Sequence, residues 1–213
     1  MPHFYKVNPC STSRPQASSC QMWKSCAAGF SLVEALVAIV VLAIGVIGAA
    51  GLQLAAFRTA QQSAYQTSAL QIASEMADAI RTINQHLKLA GSASPFSQVS
   101  YQSTGDGDLP MPPKLCYAAR CDAEELAQFE LYEWKSRVHA ALPGGRLLIC
   151  HDASPWDSGK KSLSWDCTGT SESTAPLVIK VGWQAKNPDG ALVKDGDGKF
   201  PPSVAITVGL PAI

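Results

Sequence analysis

Twenty-two consecutive residues, Ala35 to Ala56, carry neither a charge nor a proline, and a lone carboxylate, Glu34, stands directly before them. A bilayer core needs roughly 20 such residues at 1.5 Å of rise each, so the run is long enough to span one. An acid at the end of that span costs on the order of 2.5 to 3.5 kcal/mol unless it is partnered. The run therefore requires an apolar surround, and it requires a partner for Glu34. Three bases, Lys6, Arg14 and Lys24, and no acid precede the run. That charge bias leaves the N-terminus in the cytoplasm and carries the rest of the chain across the membrane.

A secretory signal has an apolar region of roughly 7 to 15 residues with small residues after it. Here the apolar run is longer, and the small residues Ala27, Ala28 and Gly29 come before it. Cleavage after Gly29 keeps the apolar helix in the product and creates an amine on Phe30. That amine lies about one helical turn from Glu34 within a chain, or within reach of Glu34 on a staggered neighbour. Pairing neutralises both charges in lipid.

The segment Gly29-Phe30-Ser31-Leu32-Val33-Glu34-Ala35-Leu36-Val37-Ala38 resembles the class III signal of type IV pilins and type II secretion pseudopilins. The resemblance implies that a prepilin peptidase cuts between Gly29 and Phe30, that Phe30 is N-methylated, and that Glu34 guides docking into a growing filament. An ordinary single-span anchor with a chance acid is the competing reading. Met1 to Gln21 is rich in Ser, Pro and Cys without periodicity and reads as disordered. Met22 to Gly29 alone forms a compact basic leader, so Met22 is a candidate start, which N-terminal sequencing of the uncleaved precursor decides.

Residues 1–29 are thus read as a removed leader, 30–56 as the membrane-spanning and filament-core helix, 57–90 as its amphipathic continuation, and 91–213 as a periplasmic head. The full chain holds 17 basic and 17 acidic residues. Since the leader takes three bases and no acid, the product is three charges acidic, and no electrostatic grip on nucleic acid is expected. Of seven cysteines, four lie beyond the leader: Cys116, Cys121, Cys150 and Cys167. An even set on the oxidising side implies disulfides, and four cysteines allow three pairings. Short loop closure favours Cys116 with Cys121 and Cys150 with Cys167. A zinc site of these thiols with His151 competes, but its spacing lacks paired CxxC elements.

Beyond the span, Ala69, Ala73, Met76, Ile80, Ile83 and Leu87 recur at helical spacing and need a cover. The helix is expected from Phe30 to Leu89, ended by Gly91 and Pro95, and pilin-like folds lay a sheet over such a stripe. Gly45, Gly48 and Gly51 read as helix packing points or as a place where the helix loosens. Gly91 to Pro113 reads as a loop, with Asp106-Gly107-Asp108 as a turn. A second helix starts at Asp122, capped with Glu125, and buries Ala127, Leu131, Trp134, Val138 and Leu142 until Pro143-Gly144-Gly145 stops it. Leu147 to Cys150 reads as a strand. So does Leu177 to Gln184, with Leu177, Ile179, Val181 and Trp183 on one side and Val178, Lys180, Gly182 and Gln184 on the other. Val204, Ile206 and Val208 alternate in a last strand. The expected fold is therefore α+β and pilin-like, with a meander of about three or four antiparallel strands.

Asp189, Asp195 and Asp197 sit in Asn187-Pro188-Asp189-Gly190 and Asp195-Gly196-Asp197-Gly198, which read as hairpin turns, since a complete calcium loop is absent. His86, His139 and His151 make no metal pair. GxSxG, phosphate-loop and HExxH motifs are absent. Ser158 and Lys161 match SxxK without its companion motifs and read as a solvated loop. Trp134, Trp156, Trp165 and Trp183 read as core or loop anchors. No enzyme activity, cofactor or metal is expected.

The block from Cys121-Asp122-Ala123-Glu124-Glu125-Leu126-Ala127 through Trp134 to Leu142-Pro143-Gly144-Gly145 and Cys150 resembles the PilV type of minor pilin, the type IV pilus modification protein. So does the anchor ending Leu42 to Gln53; Glu130 departs from the expected aspartate. This resemblance implies a low-abundance subunit in the inner membrane, single-pass with a periplasmic head, and later in the pilus at the cell surface. Its partners would be prepilin peptidase and other major and minor pilins, and its roles would be assembly or initiation, adhesion and twitching motility. Alternatives are a minor pseudopilin of type II secretion and a membrane-anchored periplasmic enzyme.

Overall fold

The computed structural model describes residues 30–91, 93–103, 109–117, 119–169, 175–196 and 198–209. A long N-terminal helix, α1 (Leu32–Ala90), is followed by β1 (Gln98–Gln102), α2 (Ala123–Ala141), β2 (Arg146–His151), β3 (Trp156–Asp157), β4 (Ser162–Leu163), β5 (Leu177–Gly182) and β6 (Val204–Val208). Four strands form one antiparallel sheet in the order β1-β2-β5-β6, and β3 and β4 form a separate hairpin. The fold is α+β: an apolar N-terminal helix, a second helix and a small antiparallel sheet.

The apolar stripe of α1 explains the core. Ala69, Ala73, Met76, Ile80, Ile83 and Leu87 are all buried, joined by Ile72 and Ala77. They share one cluster with Leu147, Ile149, Ile179 and Val181 of the sheet. The register sets Leu147 opposite Val181, Ile149 opposite Ile179 and Val99 opposite Ile149, so one pleat face is apolar across the strands. After Ala90 the chain turns at Gly91, whose φ of 70° lies in the left-handed region that glycine enters without steric cost.

The capping chemistry of α2 forms as its sequence dictates. Asp122 Oδ1 accepts the backbone N–H groups of Glu124 and Glu125, and the Glu125 side chain accepts the Asp122 N–H. Ala127, Trp134, Val138 and Leu142 are buried, whereas Leu131 is only half-buried. At the end of α2, Gly144 has a φ of 58°, and a side chain there would also meet Gln184.

Trp134 is the largest fully buried side chain, with its ring 5.6 Å from that of Phe96. Its truncation leaves a cavity between α2 and the segment that enters β1. Trp134→Ala is expected to lose about 3 to 5 kcal/mol of stability, read as a lowered urea midpoint in detergent, with Trp134→Phe losing less.

Three features depart from the sequence reading. β1 lies within the stretch expected to be a loop, and α2 separates it from its partner β2, so the sheet is not a simple meander. The β3–β4 hairpin, with Trp156 opposite Leu163, falls where only loop was expected. Every residue of β5 is buried, on both pleat faces. The chain between β2 and β5 folds back over the second face, and it includes that hairpin. Trp165 lies against Gly182, where an added Cβ would sit 2.8 Å from the indole, and its Nε1 donates to Phe200 O at 2.7 Å. The Arg146 guanidinium stacks over the same ring at 4.2 Å.

Among the described residues two disulfides form, Cys116–Cys121 and Cys150–Cys167. The second ties the returning segment to β2 across a sequence separation of 17, against 5 for the first. On loop-closure entropy the longer loop contributes about 3 kcal/mol and the shorter about 2. Replacing Cys150 and Cys167 together by serine is expected to lower the melting temperature more than replacing Cys116 and Cys121, measured by near-UV circular dichroism.

Candidate functional site

The N-terminal part of α1 is exposed along its length. Phe30 is 84% exposed and Leu36 57%, and the side chains of Ile39, Ile44 and Ile47 are likewise uncovered. An added Cβ at Gly45, Gly48 or Gly51 meets no atom within 4 Å. Bare apolar surface of this extent in water is costly at about 25 cal/mol per Å², so it calls for lipid or other helices. The helix is long and apolar enough to cross a membrane.

Glu34 is the acidic residue in the first turn of α1, and Ala35 N donates to Ser31 O at 3.1 Å as the helix begins. Glu34 is thereby placed among the unpaired N–H groups of the helix start. Phe30 and Glu34 thus lie at the same end of α1, on either side of its first turn. Gly29 and the leader lie outside the described residues.

The remaining residues singled out in the sequence do not converge. His86 is exposed, His139 is half-buried beside Ser103 and Tyr101, and His151 is buried with Nδ1 2.9 Å from Ala175 O. With their sulfurs joined in pairs, the four cysteines are not free thiolates for zinc, and no cluster of metal-binding side chains occurs among the described residues. Asp189 Oδ1 accepts Ala191 N–H and Asp195 Oδ1 accepts Lys199 N–H, both as turn caps. Asp197 and the Asp106-Gly107-Asp108 turn lie outside the described residues. Ser158 and Lys161 are exposed. Trp134 and Trp183 are core, Trp165 is half-buried, and Trp156 is exposed.

Sequence reasoning missed a buried ion pair. Lys180 and Asp152 are both wholly inaccessible, with Nζ 2.5 Å from Oδ2. Lys180 Nζ also donates to Ser164 O at 2.7 Å and Asp166 O at 2.5 Å, so the ammonium sits among three oxygens. Asp152 Oδ1 accepts from Thr168 Oγ1 at 2.6 Å and from Ser154 N–H at 3.0 Å. Burial pushes the Asp152 carboxyl up, but the hydrogen bonds from Lys180, Thr168 and Ser154 outweigh it and hold it below the usual carboxylate range. The pair fastens the returning segment to β5 and has no access to substrate.

Residues 24–50 match the family model described as the prokaryotic N-terminal methylation motif. No curated protein and no solved structure matches the chain. The matched span includes Gly29, Phe30, Glu34 and most of the apolar run, and together with the α+β architecture it supports a type IV pilin-like protein with a prepilin-type signal.

Proposed function

We propose that the chain is a minor pilin of the PilV type, cleaved after Gly29, methylated on Phe30, and docked into a type IV pilus through Glu34. The observation that carries this reading is the methylation motif over residues 24–50, set on a helix whose first half is bare apolar surface. The chain is held first in the inner membrane by α1 with its head in the periplasm, where the two disulfides suit the oxidising compartment. Assembly then exchanges lipid around α1 for the helices of other pilins, with prepilin peptidase acting beforehand. Subunits of this kind initiate or modify the filament, and adhesion and twitching motility depend on it.

Deleting the gene separates this reading from a minor pseudopilin of type II secretion. Loss of twitching and of surface pili with normal protein export is the expected result. Normal pili with failed export would move the chain to the secretion system.

A further inference from the structure

The head carries a groove of about 510 Å³ that the assembly role leaves unused, formed where the end of β1 meets α2 and a proline-rich segment. Its volume falls in the range of about 300 to 1,000 Å³ typical of small-ligand sites. Tyr101, Tyr132, Leu131 and Pro110 supply apolar and aromatic walls. Gln102, Gln128, Lys135 and His139 supply the polar groups. Among the described residues, the side chains of Gln102, Gln128, Tyr132 and Lys135 make no hydrogen bond or ion pair. No carboxylate of the described residues lines the groove, although the chain beyond residue 29 is acidic overall.

One corner is preset. His139 Nδ1 lies 2.9 Å from Ser103 Oγ and 3.3 Å from Tyr101 Oη, which fixes the imidazole ring. Burial raises the Tyr101 phenol above its ordinary value, so it stays a neutral hydroxyl.

We propose that this groove binds a carboxylated sugar residue of a polysaccharide, its ring against Tyr101 and Tyr132, its hydroxyls on Gln102 and Gln128, and its carboxylate on Lys135. Two tyrosine faces suit the apolar face of a pyranose ring. Side-chain amides both donate and accept, as adjacent sugar hydroxyls require. Among the described lining residues a single lysine stands without a carboxylate beside it, which selects a ligand carrying negative charge, and without an arginine, whose fork a phosphate site favours.

The test uses the full chain in detergent micelles, titrated with a trigalacturonate and with the neutral galactose trisaccharide, followed by tyrosine and tryptophan fluorescence. The trigalacturonate is expected to bind more tightly than the neutral sugar by roughly tenfold, the value of one charge-assisted hydrogen bond. Lys135→Gln should remove that difference with an unchanged melting temperature, and Tyr132→Ala should weaken both sugars. Equal affinity for the two sugars, no binding of the uronate, or an unaltered preference in Lys135→Gln would overturn the proposal, as would preference for a proline-rich peptide at the same site. The Glu34→Ala chain should bind like the wild type, so the groove stands or falls separately from the docking role.

Discussion

Lys180→Met is expected to destabilise the folded head by about 3 to 5 kcal/mol, because it strands the buried Asp152 carboxylate without its cation. Met matches the length of the lysine stem, so the loss comes from charge and hydrogen bonding rather than from a cavity. Ser164 O and Asp166 O lose their donor at once, and Asp152 Oδ2 loses its ion-pair partner. The double variant Lys180→Met/Asp152→Leu should recover much of the loss, since an apolar pair avoids the desolvation of two ions. The pH dependence separates this account from simple packing damage. In the wild type the Asp152 carboxyl is depressed, so its stabilising contribution is present above the unfolded value near about 3.9 and fades as pH falls below it. In Lys180→Met the carboxyl loses the lowering influence of the ammonium and titrates higher than in the wild type, so the variant's deficit should shrink on acidification. Urea unfolding at several pH values measures this directly, and a deficit independent of pH would point to packing alone.

Glu34→Ala is expected to leave membrane insertion and cleavage intact while reducing the subunit in sheared filaments by about tenfold or more. The substitution removes a charge whose cost in a bilayer is on the order of 2.5 to 3.5 kcal/mol, so insertion itself should become easier. Under the proposed docking role the variant loses the acceptor for a neighbouring Phe30 amine, and charge-assisted hydrogen bonds of about 1.5 to 3 kcal/mol correspond to at least a tenfold change. Glu34→Gln keeps the shape and one acceptor and should fall between. Immunoblots of membrane and filament fractions report the partition. Incorporation at the wild-type level in Glu34→Ala would remove the docking role.

Much of this fold was legible because period and capping acted locally. The stripe from Ala69 to Leu87 states which face of α1 is covered, and Asp122 with Glu125 states where α2 begins. The strands β2, β5 and β6 announced themselves by apolar runs, and the short-loop rule picked the disulfide pairs that the structure forms. The strand β1 was hidden because Gln98-Val99-Ser100-Tyr101-Gln102 is an edge strand flanked by serine, glycine and proline, and only its pairing with β2 makes it a strand. Lys180 was hidden for a different reason. Alternation along β5 suggests a solvent side, but the returning segment covers that side, and neither Lys180 nor Asp152 carries a local signal that the other lies 2.5 Å away. The groove is likewise a product of tertiary structure, since Tyr101 and Lys135 meet only when β1 and α2 are brought together. By contrast, the methylation motif over residues 24–50 was readable from the chain alone, because a charge beside a long apolar run needs an explanation at once.

Mass spectrometry of the N-terminus of the protein recovered from the membrane tests the central claim most directly. The expected species begins at Phe30 and carries one methyl group on its amine, so that Glu34 is the fifth residue of the product. A chain that retains residues before Phe30, or begins there with an unmodified amine in cells that methylate their other pilins, would contradict it.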